Sequence, residues 1–219
     1  MVQASLRPSV RGSTFVRLLA RLTDADPAPV GGSVSDRLGL WLDWKQAIGL
    51  SSALEGKLPE PVEGVGAFDA AVEAECAQAR VTLVEAIEAE RGREMPPGAD
   101  VAAFRARYLR HQRAIQAATG SLRGRLRDLL AAGSPEAARL AEVDAFMEST
   151  LSPREHRLMA GVPTLLGDRF ERLRAGAAEG DLAWLDIFRR DMQDVLLAEL
   201  DVRFQPVEGL LAALRGING

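Results

Sequence analysis

The chain has a single cysteine, Cys76, so no disulfide can form within it, and such usage fits a reducing compartment. Lysine is nearly absent: among 27 basic residues only Lys45 and Lys57 are lysines, which reads as the codon bias of a high-GC genome. Aromatic residues make up only 5% of the chain and β-branched runs are scarce, so little here favours strands. No apolar run approaches the roughly 20 residues needed to span a bilayer. The arginines near the start precede no long apolar stretch of the secretory kind. The expectation is a cytoplasmic protein without a transmembrane segment.

Histidine is equally scarce, and His111 and His156 lie far apart in sequence. A structural zinc site wants four N/S ligands, and these two with Cys76 supply three, on three separate segments. A four-helix di-metal site needs Glu-x-x-His pairs, and neither histidine has a glutamate three residues before it. There is no GxxxxGK[ST], no GxGxxG after a strand, no GxSxG and no HExxH. Paired carboxylates such as Glu73 with Glu75 and Asp191 with Asp194 fall on charged helix faces. Cys76 falls mid-stripe between Val72 and Leu83 and reads as a buried, inert thiol. The sequence thus nominates no catalytic residue, no metal ligand and no cofactor.

What the chain has in quantity is Ala, Leu, Arg and Glu, all good helix formers. The fold class is all-α, a bundle of long amphipathic helices. Phe15, Leu18, Leu19 and Leu22 mark a first helix over Thr14–Leu22. A second is expected from about Ser35 to Ile48, with Gly49 just past its end and Ser52 to Glu55 capping a short extra turn. Ala67–Arg93 and a continuous helix from Asp100 to about Ala132 form an antiparallel hairpin across the break "EMPPGAD". Ser134-Pro135 and Ser152-Pro153 each read as a cap followed by proline at the first helical position. The helix after Ser134 should bury Leu140, Val143 and Met147, and the one after Ser152 should bury Leu158 and kink at Pro163. A last helix starts at Leu182 and carries an apolar stripe to Leu214 past Pro206. The proline- and glycine-rich 59–66 stretch divides an N-terminal helical segment, 1–58, from a main bundle, 67–219.

Charge is segregated. Met1–Thr23 and Val101–Arg127 contain arginines and no acid, against a net charge of −4 overall. Arg105, Arg107, Arg110, Arg113, Arg123 and Arg127 cover the polar side of their helix, a candidate basic face. Such a face binds nucleic-acid phosphates or an acidic partner. The glutamate-rich 73–94 helix of the same hairpin is the nearer counterpart, and internal pairing is the favoured reading. The lack of an aromatic stacking platform weighs against nucleic acid.

Partner docking has two candidate surfaces. One is "LWLDWKQAIGLSSAL", where Val34, Leu38, Trp41, Trp44 and Ile48 share a stripe and the helix is apolar around more than half its girth. Both tryptophans are expected to face inward, toward the bundle or a permanent partner. The other is the C-terminal stripe, with Leu185, Phe188 and Met192 as candidates for self-association or docking on a coiled coil.

The strings "FVRLLARLTDAD", "WLDWKQAIGLSSAL", "FRARYLRHQRAI" and "FRRDMQDVLLAELDVRFQPVEGLLAALR" resemble a family of uncharacterised proteobacterial proteins, a domain of unknown function. The resemblance covers most of the chain outside its loops and carries no functional residue over. It implies genes encoded beside an OmpA-like protein and a large coiled-coil membrane protein, and so a cytoplasmic accessory of an envelope-anchored assembly. The reading is a non-enzymatic protein that binds other proteins, itself or a coiled-coil membrane protein among them. Nucleic-acid binding is the alternative.

Overall fold

The computed structural model describes residues 14–24, 42–57, 60, 68–90 and 100–218. Within them the chain forms seven helices: α1 (Thr14–Leu22), α2 (Trp44–Glu55), α3 (Ala70–Glu88), α4 (Val101–Ala131), α5 (Pro135–Ala160), α6 (Val162–Gly176) and α7 (Ala183–Asn218). No strand occurs among the described residues. The fold is all-α with a long C-terminal helix.

α4 and α7 form the axis. They run parallel, with Phe104 against Phe188 and, further along, Tyr108 bonded to Glu199. α3 and α5 run antiparallel to α4: Glu75 pairs with Arg125 and Glu90 with Arg107, while Arg123 grips Asp144 and Gln112 reaches Met159. α6 doubles back on α7, placing Phe170 edge-on to both Phe188 and Trp184 at 5.1 and 5.0 Å. Phe104, Phe170 and Phe188 thus make a three-ring cluster, and each such ring contributes about 2–3 kcal/mol by leaving water. The two helices of the expected 1–58 segment both lie on the main bundle. Phe15 and Leu22 of α1 enter the core, and Arg172 of α6 donates to the Leu22 carbonyl. α2 lies on α5, with Gly49 against the Phe146 ring and the Arg139 side chain donating to the Gly56 carbonyl. The 59–66 linker is described only at Glu60.

Several boundaries follow the sequence reading. α1 has the expected bounds, α4 runs unbroken through Gly120 from its Asp100 cap, and Ser134 caps α5 ahead of Pro135. Three expectations are corrected. α5 does not restart at Ser152 but continues through Pro153 to Ala160 and ends at Gly161. The residues beyond Pro153 are held in line by tertiary bonds, from Gln112 to the Met159 carbonyl and from Arg203 to Glu155. Those contacts offset the one backbone bond that proline removes. Pro163 accordingly sits in the first turn of α6, where a missing N–H costs nothing, and kinks no helix.

The second correction concerns α2. Its described start is at Asp43, whose carboxylate accepts the Gln46 N–H while the Gln46 side chain accepts the Asp43 N–H, both at 2.8 Å. From that capping box the helix runs on through Gly49 and Ser52 to Glu55. Gly49 is an interior residue: a Cβ there would stand 2.5 Å from a Phe146 ring carbon, so the glycine permits the close approach of α2 to α5. The expected start at Ser35, and with it Val34, Leu38 and Trp41, lies outside the described residues.

The third is burial. α5 buries the small side chains of Ala137, Ala138 and Ala141, while Leu140 and Leu158 are exposed.

Candidate interaction surfaces and a polar cleft

The basic face is mostly occupied from within the chain. Arg107 and Arg110 reach the buried Glu90, which also lies 3.1 Å from His111 Nε2. Arg123 is bidentate on Asp144 at 2.7 and 2.8 Å, Arg127 pairs with Glu148, and Arg125 with Glu75. Burial works against the charge on the Arg123 guanidinium, but the hydrogen bonds it donates to Asp144, with the charges of Asp144 and Glu148, hold it above its ordinary pKa. Among the described residues, Arg105 and Arg113 are the members of this face without an ion-pair partner.

The described part of the tryptophan stripe does not face the bundle, which leaves the partner half of the expectation. Trp44 is 78% exposed and Ile48 51%. Gln46, Gly49, Leu50 and Ala53 are the partly buried positions of α2, so the face toward α5 is opposite the one that carries Trp44. A helical wheel gives an amphipathic direction but does not say which of two apolar sides meets the body; here it is the side of Gly49, which lies against the Phe146 ring. The C-terminal stripe departs the other way. Phe188 is 1% and Met192 4% exposed, both in the core, and Leu185 packs against it. Phe188 and Met192 serve this chain's own packing and offer no outer surface, while Leu185 is half-buried.

Behind α7 lies a buried polar network that the sequence reading passed over. Glu199 is 0% exposed and accepts bonds from Tyr108 Oη (2.5 Å), Gln112 Nε2 (3.1 Å) and Arg203 Nε (2.9 Å). Arg203 passes its other side to Glu155 at 2.8 Å. The signal was present: Glu199 and Arg203 stand four apart on the apolar stripe of α7, and Tyr108 and Gln112 stand four apart on α4. Burial, with the Glu199 carboxylate beside it, drives the Tyr108 hydroxyl far above its ordinary value of 10.0. The folded state therefore keeps this proton when the unfolded chain would lose it. The stabilisation is complete below pH 10.0 and erodes above it. The melting temperature should fall with pH above that value, and the fall should be shallower in Tyr108→Phe; calorimetry between pH 8 and 11 checks both.

This network forms one wall of a cleft of about 190 Å³ between α4, α5 and α7, lined by Gln116, Thr119, Gly120, Arg123, Glu148, Ser152, Glu155, His156, Val202, Arg203 and Pro206. His156 Nδ1 donates to the Ser152 carbonyl at 2.8 Å, which leaves Nε2 to accept from the Gln116 amide. Along the same seam the cleft gives way to an open apolar groove of about 310 Å³, where Leu140, Val143 and Met147 face Pro206, Gly209 and Leu210. These are the α5 residues expected to be buried. Cys76 is buried, and burial pushes its thiol pKa up, away from thiolate chemistry. No set of three or more His, Cys, Asp or Glu among the described residues is placed to hold a metal ion, and no described helix is long and apolar enough to cross a membrane.

A family model described as "Protein of unknown function (DUF3348)" matches residues 1–216. No curated protein and no solved structure matches the chain.

Proposed function

The chain belongs to this family of unknown function, and we propose from its own geometry that it is a non-enzymatic binding protein that docks a helix of a partner protein on the outer face of α2. The exposed Trp44 carries this reading. Tryptophan is the residue type most enriched at interface hot spots, and a solitary folded chain gains nothing by leaving one in water.

Trp44, Ile48, Ser51 and Glu55 follow one another at steps of four, three and four, the seam spacing of a coiled coil, so the face fits a helix laid along it. Ser51 is small enough to let that helix approach. Lys45 at one end and Glu55 at the other give it a direction, with an acidic residue expected over Lys45 and a basic one over Glu55. A second copy of this chain docking through α2 alone would bury two short helix faces, well under the ~1,200 Å² of a stable interface. A longer helix from another protein can run past both ends of α2, which is why a different protein is the expected occupant. The internal pairing of Arg107, Arg110, Arg123, Arg125 and Arg127 supports protein rather than nucleic acid as the ligand class. A cytoplasmic setting fits the lone reduced cysteine.

A photo-crosslinking phenylalanine analogue replacing Ile48 in the native cell tests this. The expected result is one dominant crosslinked protein, absent when the analogue replaces Arg113 and lost with Trp44→Glu. Since Trp44 is exposed, that substitution should change stability by no more than about 0.5 kcal/mol while weakening capture by on the order of 100-fold. Crosslinks unaffected by Trp44→Glu, or a product of twice the chain mass, overturn the proposal.

A further inference from the structure

The open apolar groove between α5 and α7 is separate from the α2 face, and it begins where the cover over α7 ends. In its first half α7 is covered on this side: Arg21 of α1 and Arg169 of α6 reach Asp191, and Val195 and Ala198 are 1% and 4% exposed. Steps of three and four residues carry the same side on through Val202, Pro206, Gly209, Ala213 and Ile217. There Ile217 is 46% exposed, and a Cβ built on Gly209 would stand in open space. Beside this strip α5 sets Leu140, Val143 and Met147, and Leu140 is 40% exposed.

The groove asks for no ionic partner. Its carboxylate, Asp144, is bidentate on Arg123, and none of the five α7 positions from Val202 to Ile217 is ionisable. Two copies meeting here would therefore bring no like charges together. The walls are uneven: α5 raises a row of bulky side chains, while α7 falls away at Gly209. A two-fold axis along the groove lays the bulky row of each copy over the α7 strip of the other, so one face serves as its own complement. The size also suits a pair. Residues 202–217 of α7 extend about 24 Å at about 1.5 Å per residue, with α5 alongside. Two helices about 12 Å across, each open over about a third of its girth, offer about 600 Å² per copy. A pair then buries about 1,200 Å², the size at which stable interfaces begin and which α2 alone does not reach.

We propose that this groove docks a second copy of the chain, with Leu140, Val143 and Met147 of each copy lying over Pro206, Gly209 and Ala213 of the other. The dimer displays two α2 faces, each turned away from α5, and a partner that offers two helices binds it more tightly than one that offers a single helix.

Multi-angle light scattering on the full chain at ~100 μM tests the dimer, above the micromolar Kd that bounds well-formed interfaces of this class. Twice the chain mass is expected. Leu140→Glu, at a position already partly in water, should weaken the dimer by on the order of 100-fold with helicity unchanged by circular dichroism. Gly209→Arg is a second probe, since its side chain enters open space and meets nothing of this chain's own core. It should give the single mass. Trp44→Glu should leave the dimer intact, which keeps this outcome apart from that of α2 docking. A chain that stays single at this concentration assigns the groove to a different protein and overturns the proposal, as does a dimer that both groove substitutions leave intact.

Discussion

Glu199→Ala should destabilise the protein by about 3–5 kcal/mol, among the largest losses from a single substitution in this chain. The carboxylate is fully buried, and three donors from three different positions converge on it. Removing it leaves Arg203 buried with only Glu155 for a partner, strands the Tyr108 hydroxyl without an acceptor, and leaves the Gln112 amide only the Met159 carbonyl. Each stranded group costs about 1–3 kcal/mol and the guanidinium more, so the loss exceeds the worth of any one bond. The converse experiment separates satisfaction from net attraction. The combined change Tyr108→Phe, Gln112→Leu, Glu199→Leu and Arg203→Met removes the buried charges and donors at once, leaves only the half-exposed Glu155, and should recover most of the loss, because a buried ion pair repays little beyond its own desolvation. Urea denaturation of both variants decides it. If Glu199→Ala costs under 1 kcal/mol, water reaches the network and the site is not the dry one described.

Phe188→Glu should abolish folding under ordinary conditions. The ring is 1% exposed, 4.9 Å from Phe104 and 5.1 Å from Phe170, so a carboxylate placed there has neither water nor a donor. Truncating such a ring to alanine costs about 3–5 kcal/mol, and an unpaired charge adds to this, against a total stability of about 5–15 kcal/mol for a typical domain. Far-UV circular dichroism and a thermal melt show the result. The same substitution in a surface docking stripe would leave the melt unchanged and alter only the state of association. That was the expectation when Phe188 and Met192 were read as an outward stripe.

The comparison shows where sequence periodicity informs and where it stops. Long helices were legible from spacing and caps: Asp100 and Ser134 sit where the backbone amides need an acceptor, and the seven-residue step from Ile115 to Leu122 kept phase through Gly120. Ser134-Pro135 and Ser152-Pro153 are the same local signal with opposite outcomes, because at the second the continuing helix is held by Gln112 and Arg203, which lie far away in sequence. Period alone also cannot tell a stripe that meets its own chain from one that faces outward: of the docking candidates, Phe188 is buried in the core and Trp44 is exposed. The basic face was legible in part: Arg107, Arg110 and Arg125 pair with Glu90 and Glu75 of the preceding hairpin segment, whereas Arg123 and Arg127 pair with Asp144 and Glu148 of α5, which the charge blocks did not single out. The cleft was the least legible: its walls come from Gln116, Glu148, Glu155 and Val202, on three helices that no spacing rule brings together.

The place of α7 also bears on biosynthesis. Tyr108 and Phe104 leave the ribosome well before their partners Glu199 and Phe188 are made, and α7, the last of the described helices, supplies the partner for both. Until it emerges, the nascent chain holds apolar faces and a tyrosine whose acceptor does not yet exist. Folding of the core is thus a late event that follows translation of Ala183–Asn218. During the preceding seconds of synthesis, at about 5–20 residues per second, the growing polypeptide is a natural client for chaperones.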